Sequence, residues 1–189
     1  MAVNPQLKRS DRVDVRNYAV EEPLKNGLLV TVRAIRPDDK SRIVAAFEAL
    51  EPQSIYTRFF QYKQALSKAE LQRATEVDFE NEVALVATIQ QGTRETIIGS
   101  ARSIVYMTPE AVRSAEIAFI VEEDYQGQGL ASHLLRHLTR IAREQGVPQF
   151  TADVLPGNPA MLAVFSRCGW PMTTKRRGDI VQVILKLDE

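Results

Sequence analysis

Residues 114–146, SAEIAFIVEEDYQGQGLASHLLRHLTRIAREQG, change hydrophobic period half-way, and that change constrains the fold more than anything else in the chain. Ile117, Phe119 and Val121 alternate with smaller or polar residues over Glu116 to Val121, the pattern of a strand. Leu130, Leu134, Leu138 and Ile141 follow at helical spacing, with Gly146 as the stop. Between them runs Tyr125-Gln126-Gly127-Gln128-Gly129-Leu130-Ala131, so strand becomes helix across a glycine-rich turn. Such a turn aims several unpaired N–H groups at one spot, with the positive end of the helix dipole behind them. An anion such as a phosphate suits that spot. A plain strand–helix turn would use the same glycines.

The common nucleotide loops do not fit. A Walker loop requires Lys-Ser/Thr after its last glycine, where this chain has Leu130-Ala131, and the dinucleotide fingerprint requires a third glycine where Ser132 stands. Gln126-x-x-Gly129-x-Ala131 instead resembles the Q/R-x-x-G-x-G/A motif of the GCN5-related N-acetyltransferases (GNAT). The preceding AEIAFIV is similar to that family's central strand, including a glutamate at Glu116. The resemblance runs from about Leu28 to Leu187 and is strongest to the acetyltransferase domains of bacterial protein lysine acetyltransferases.

The rest of the chain supports a single α/β (α+β) domain. Residues 1–27 read as a polar, irregular arm broken by Pro5 and Pro23, and residues 28–189 as the domain itself. Strands are expected at 28–35, 83–89, 96–106, 149–155, 170–175 and 180–187, and helices at 37–50, from Pro52, at 68–75 and at 160–168. The hairpins among these strands argue for a mixed, mostly antiparallel sheet flanked by helices. By resemblance the sheet is splayed at the central strand. With 189 residues, 44% of them hydrophobic, one sizeable core is expected. The 24 basic and 24 acidic residues cancel, so neither nucleic acid nor membrane is an indicated partner. No signal-peptide core or spanning stretch is present, and the lone Cys168 excludes an internal disulfide and a cysteine metal cluster. The expected location is the cytoplasm.

The resemblance implies acetyl-CoA as co-substrate, with no metal. The loop Gln126, Gly127, Gln128, Gly129, Leu130, Ala131 and Ser132 would hold its pyrophosphate, and the backbone of Phe119, Ile120 and Val121 its pantetheine arm and thioester carbonyl. An N–H aimed at the developing oxyanion is typically worth about 3–4 kcal/mol. A lysine amine of pKa ~10.4 must also lose a proton, and Glu116 is the candidate base, its pKa raised if it stands in a partly apolar cleft. The alternative for Glu116 is an exposed strand residue or a salt bridge to Arg102 or Arg113. Asn158, before Pro159, is an N-cap, and it matches the family asparagine that contacts the cofactor's arm. Where many family members carry a tyrosine acid, four residues before a Gly-aromatic pair, this chain has Phe165 ahead of Gly169-Trp170.

Weaker features read structurally. His133 and His137 have metal-compatible spacing without a third ligand and are expected on a solvated helix face with Arg140 and Glu144. Tyr56, Phe59, Phe60 and Tyr62 are expected to pack a short helix into the core, or else to wall an acceptor site. Cys168 reads as buried packing and Lys175-Arg176-Arg177 as a hairpin tip. The function expected is direct transfer of an acetyl group from acetyl-CoA to a primary amine, by resemblance a protein lysine. The alternatives are a small-molecule N-acetyltransferase acting on a polyamine, amino acid or amino sugar, and a non-catalytic acyl-CoA-binding module.

Overall fold

The computed structural model describes residues 14–188. The expectation for the first part of the arm, including the break at Pro5, lies outside these residues. Eight strands form one sheet: β1 Ala19–Pro23, β2 Leu29–Ala34, β3 Glu82–Gln91, β4 Arg94–Met107, β5 Arg113–Val121, β6 Gln149–Val154, β7 Met172–Arg177 and β8 Ile180–Lys186. Their order across the sheet is β1-β2-β3-β4-β5-β6-β8-β7. Every neighbouring pair is antiparallel except β5 with β6. Five α-helices accompany them: α1 Lys40–Ala49, α2 Pro52–Phe59, α3 Lys68–Thr75, α4 Leu130–Glu144 and α5 Pro159–Ser166. This is the mixed, helix-flanked sheet that the period changes predict.

Alternation along the central strands divides the interior. On β3, Val83, Leu85, Ala87 and Ile89 join the larger core beneath α4, while Ala84 and Val86 join a smaller one with Ile35, Val77 and Ile97. The apolar stripe of α4 supplies Leu130, Leu134, Leu138 and Ile141 to the larger core, each 1% exposed or less. Burying each of these side chains is worth about 1.5–3 kcal/mol, enough to fix which face of α4 meets the sheet. Ser67 accepts the Glu70 N–H at 3.2 Å and Glu70 reaches back to the Ser67 N–H at 2.9 Å, the reciprocal cap legible in Ser-Lys-Ala-Glu. At the head of α1, Asp39 is fully buried against the fork of Arg33, with both oxygens at 2.8 Å. Burial pushes the Asp39 carboxyl up, but the Arg33 hydrogen bonds and the Arg36 N–H outweigh it and hold it below the usual carboxylate range.

Two expectations need correction. The arm is not irregular throughout: Ala19–Pro23 pairs antiparallel with β2, in register from Ala19 with Arg33 to Pro23 with Leu29. Its AVEEP sequence carries no apolar alternation because it is an edge strand, and Tyr18 and Leu24 at its two ends make the buried contacts. Nor do the aromatics of α2 fill the core. Phe60 and Tyr62 are largely exposed, Tyr56 stacks on Tyr62 at 4.9 Å, and the buried member of the helix is Ile55.

Candidate active site

The site begins where β5 loses a neighbour. β5 and β6 pair only at Ser114 with Gln149, Ala115 with Phe150 and Glu116 with Thr151. Beyond that point β6 continues against β8 to Val154, and β5 continues against β4 to Val121. Among the described residues one edge of β5 is therefore without a strand partner from Ile117 to Val121, and alternate backbone groups face the gap. The Val121 carbonyl is met by Gln126, whose side-chain amide donates to it at 3.0 Å. This closes the end of the strand and sets where the turn begins.

The turn then needs backbone that L-residues rarely adopt. Gly127 has φ 72° and Gly129, the residue capping α4, has φ 91°. A side chain at either would be strained, so these glycines are the condition for a turn this tight. The first bond of α4 is His133 N–H to the Gly129 carbonyl, 3.1 Å, which leaves the N–H groups of Leu130, Ala131 and Ser132 without intrahelical acceptors.

Gap and turn together form a cleft of about 620 Å³. The structure brings Phe119, Ile120, Val121, Gln126, Gly127, Gly129, Leu130, Ala131, Ser132 and Asn158 to its walls. Gln128 is not among them; its carbonyl accepts the backbone N–H of Lys25 at 3.1 Å. Asn158 caps α5, accepting the Met161 N–H at 3.1 Å, while also lining the cleft. Among the described residues the charged members of the wall are Lys25, Arg58 and Arg167, with no carboxylate. In a chain of zero formal charge, a long cleft bearing only cations and helix-start N–H groups suits a polyanionic ligand such as the pyrophosphate of a coenzyme. A side chain at Gly129 would be strained at φ 91° and would point toward Lys25 and His133.

A smaller cavity of about 230 Å³ lies across β5, between the sheet and helices α1 to α3. It shares Arg58 and Ile120 with the larger cleft, so the two chambers meet at the end of β5. Ala118, Ile120 and Glu122 face it, and by the same alternation Glu116 lies on that face. Glu116 is solvent-exposed, opposite Ile104 of β4, and not enclosed in an apolar cleft as the sequence suggests. Neither proposed salt bridge forms. Arg102 pairs with Glu82 at 2.5 Å and donates to the Ala74 carbonyl, and Arg113 alternates onto the opposite face. Burial and the charge of Arg102 lower the pKa of Arg58, with Glu116 acting in the opposite sense.

Sequence reasoning missed Glu122, which lines the smaller cavity and hydrogen-bonds through its N–H to the Ile98 carbonyl at 3.0 Å. Burial raises its carboxyl, opposed by the Asp124 N–H and helped by the charges of Asp124 and Glu123. Its spacing of two from Ile120 and four from Ala118 was the available signal. Phe59 also lines this cavity, so one aromatic of α2 does wall it.

Phe165 is 1% exposed and packs edge-on against Phe119 at 6.0 Å, so that helix presents no phenol here. Cys168 is half-buried between α4 and α5. His137 is buried, contrary to the solvated face expected of it. Tyr18 donates to its Nδ1 at 2.5 Å and its Nε2 donates to Glu22 at 2.8 Å, while His133 meets the same carboxylate at 2.5 Å. The partner covering it is β1, which no helical spacing could reveal. Among the described residues no group of His, Cys, Asp or Glu is arranged to hold a metal, and no helix is long and apolar enough to cross a membrane.

Comparison with known proteins agrees with this geometry. The family model described as the acetyltransferase (GNAT) family matches residues 46–170. An acetyltransferase of Pseudomonas aeruginosa is 28% identical over 166 residues, covering 88% of this chain and 87% of that protein. Acetyltransferase Pat of Mycolicibacterium smegmatis is 30% identical over 146 residues, 77% of this chain but 42% of that protein, so the chain spans less than half of it. Among solved structures, the GNAT domain of the PAT of S. lividans superposes with a TM-score of 0.79 at 32% identity, covering 89% of this chain and 96% of that one.

Proposed function

The chain belongs to the GNAT family of acetyltransferases, and from that premise we propose that it passes the acetyl group of acetyl-CoA from the larger cleft directly to a lysine side chain of a protein. The observation that carries this reading is the meeting of two chambers at Ile120 and Arg58, on a strand whose edge is free beyond Glu116. Bound acetyl-CoA supplies an activated thioester. The chain's own residues do the rest. Leu130, Ala131 and Ser132 offer N–H groups to the pyrophosphate, with Gly127 and Gly129 allowing the backbone to approach it. The free edge over Phe119, Ile120 and Val121 aligns the arm and offers an N–H to the thioester carbonyl, where negative charge grows during transfer. Asn158 borders the arm from the opposite wall. Glu116 is the proposed base, taking a proton from the ammonium that arrives on its face of β5. With phenylalanine at 165, the departing thiolate takes its proton from solvent.

A protein acceptor is favoured by the openness of that face. Glu116 is exposed, and so are Ile104 and Tyr106 along β4, at 47% and 37%. A cationic metabolite would call for an enclosed acidic pocket, whereas the smaller cavity sets Arg58, Arg73 and Arg102 against Glu70 and Glu122. The resemblance of the sequence to the acetyltransferase domains of bacterial protein lysine acetyltransferases supports the same reading. The test is release of free thiol from acetyl-CoA over lysine peptides, folded proteins and small amines, with the modified atom located by mass spectrometry. Acetylation on lysine Nζ of protein acceptors is the expected result. Turnover restricted to polyamines, amino acids or amino sugars would replace this reading with the small-molecule one, and binding without turnover on any acceptor would replace it with a sensor.

A further inference from the structure

We propose that Lys25, carried on the turn between β1 and β2, pairs with the pyrophosphate of the bound coenzyme, so that the N-terminal hairpin is a working wall of the cofactor cleft. The inference rests on the acetyl-CoA reading above and adds a residue that lies outside the family motif. Three observations place it there. Lys25 lines the cleft beside the glycine turn, and its backbone N–H is tied to the Gln128 carbonyl at 3.1 Å. Its side chain runs over Gly129: a methyl group built on that glycine would sit 3.7 Å from Lys25 Cγ and 3.5 Å from Cε. The ammonium is one bond beyond Cε, beside the glycine that caps α4. No carboxylate among the described residues pairs with Lys25, although Lys40 and Lys63 are paired elsewhere.

The hairpin is built to hold that position. Its turn is closed by Leu24 N–H to the Leu28 carbonyl at 2.9 Å and Gly27 N–H to the Leu24 carbonyl at 2.9 Å, with Gly27 at φ 86°. Leu24 is 3% exposed, fixing one side of Lys25 to the core. Further back on β1, Glu22 takes His133, Arg136 and His137 of α4. A cation on a turn tethered through Leu24, Glu22 and its own N–H needs little further ordering to meet a phosphate, which is the condition for an exposed charge to contribute to affinity.

The experiment is calorimetric titration of wild type, Lys25→Ala, Lys25→Glu and Lys25→Arg with CoA and with dephospho-CoA, alongside steady-state rates with acetyl-CoA and with S-acetylpantetheine. Lys25→Ala keeps the tethering N–H, so its melting temperature should match wild type. Its Kd should rise roughly 5- to 20-fold for both CoA and dephospho-CoA, with kcat unchanged. Lys25→Glu should lose more, Lys25→Arg should recover most of the affinity, and rates with S-acetylpantetheine, which lacks phosphates, should not respond. Wild-type affinity in both Lys25→Ala and Lys25→Glu would overturn the proposal while leaving the acetyl-CoA reading intact. A loss seen with CoA and absent with dephospho-CoA would also overturn it, assigning Lys25 to the 3′-phosphate instead. Failure of wild type to bind CoA at all would remove both.

Discussion

Two carboxylates, Glu116 on β5 and Glu122 just beyond its end, lie on one face of the sheet as candidates for taking the proton. Glu116 stands in solvent where an incoming ammonium would arrive, and Glu122 is drawn into the smaller cavity with its carboxyl raised by burial. If Glu116 is the base, Glu116→Gln should lower kcat by roughly 10²–10⁴-fold with the acetyl-CoA Kd unchanged, and activity should climb with pH beyond the wild-type plateau. Glu122→Gln should then cost no more than a few-fold. The reverse ranking would move the base to Glu122. Asn158 can be separated into its two roles in the same way. Asn158→Ala removes the bond to the Met161 N–H, which should cost about 1 kcal/mol and a melting temperature lower by about 2–4 °C. Asn158→Asp keeps the cap and places negative charge in a cleft otherwise lined by cations, so stability should hold while acetyl-CoA affinity falls. Parallel losses of stability and affinity in both variants would mean that the cap is its only role.

The hairpin of β1 and β2 is the element least foreseeable from the sequence. Its contact with α4 passes through a neutral His137, whose pKa burial lowers and Glu22 partly restores. In Glu22 burial raises the carboxyl, but the bonds to His137 and His133 outweigh it and hold it low. Both signs agree. A depressed histidine contributes stability that is complete above about pH 6.5 and lost as pH falls through its folded value. A depressed glutamate likewise loses its contribution below about pH 4.5. Chemical denaturation should therefore show stability falling as pH drops below about 6.5, and His137→Gln should flatten the slope in that upper window. Equal slopes in the two proteins would assign the pH dependence to other groups. None of this was legible from the chain: Tyr18 and His137 are 119 residues apart, and AVEEP carries no strand period. The turn at Gly127 and Gly129 was legible because its backbone conformation restricts residue type locally, and the caps at Ser67 and Asn158 were legible for the same reason.

Considered as one body, the molecule uses a sheet held together on both sides of a gap. Three paired residues join β5 to β6; the parting beyond them opens the larger cleft, and the smaller cavity lies across β5 under α1 to α3. The splay followed from family resemblance, whereas the smaller cavity draws Arg58, Arg102 and Glu122 from three elements and is visible only in the assembled fold. Donor and acceptor chambers have these roles only if acetyl-CoA occupies the cleft at the glycine turn. The direct measurement is calorimetric titration of acetyl-CoA into wild type and Gly129→Glu, each first shown to be folded. A glutamate there would set bulk and negative charge against the phosphates, on backbone at φ 91° that already disfavours a side chain. Wild type should bind one equivalent, and the variant should bind at least ~100-fold more weakly, as a loss of charge-assisted N–H contacts with added repulsion implies. A folded Gly129→Glu protein with wild-type affinity would contradict the account.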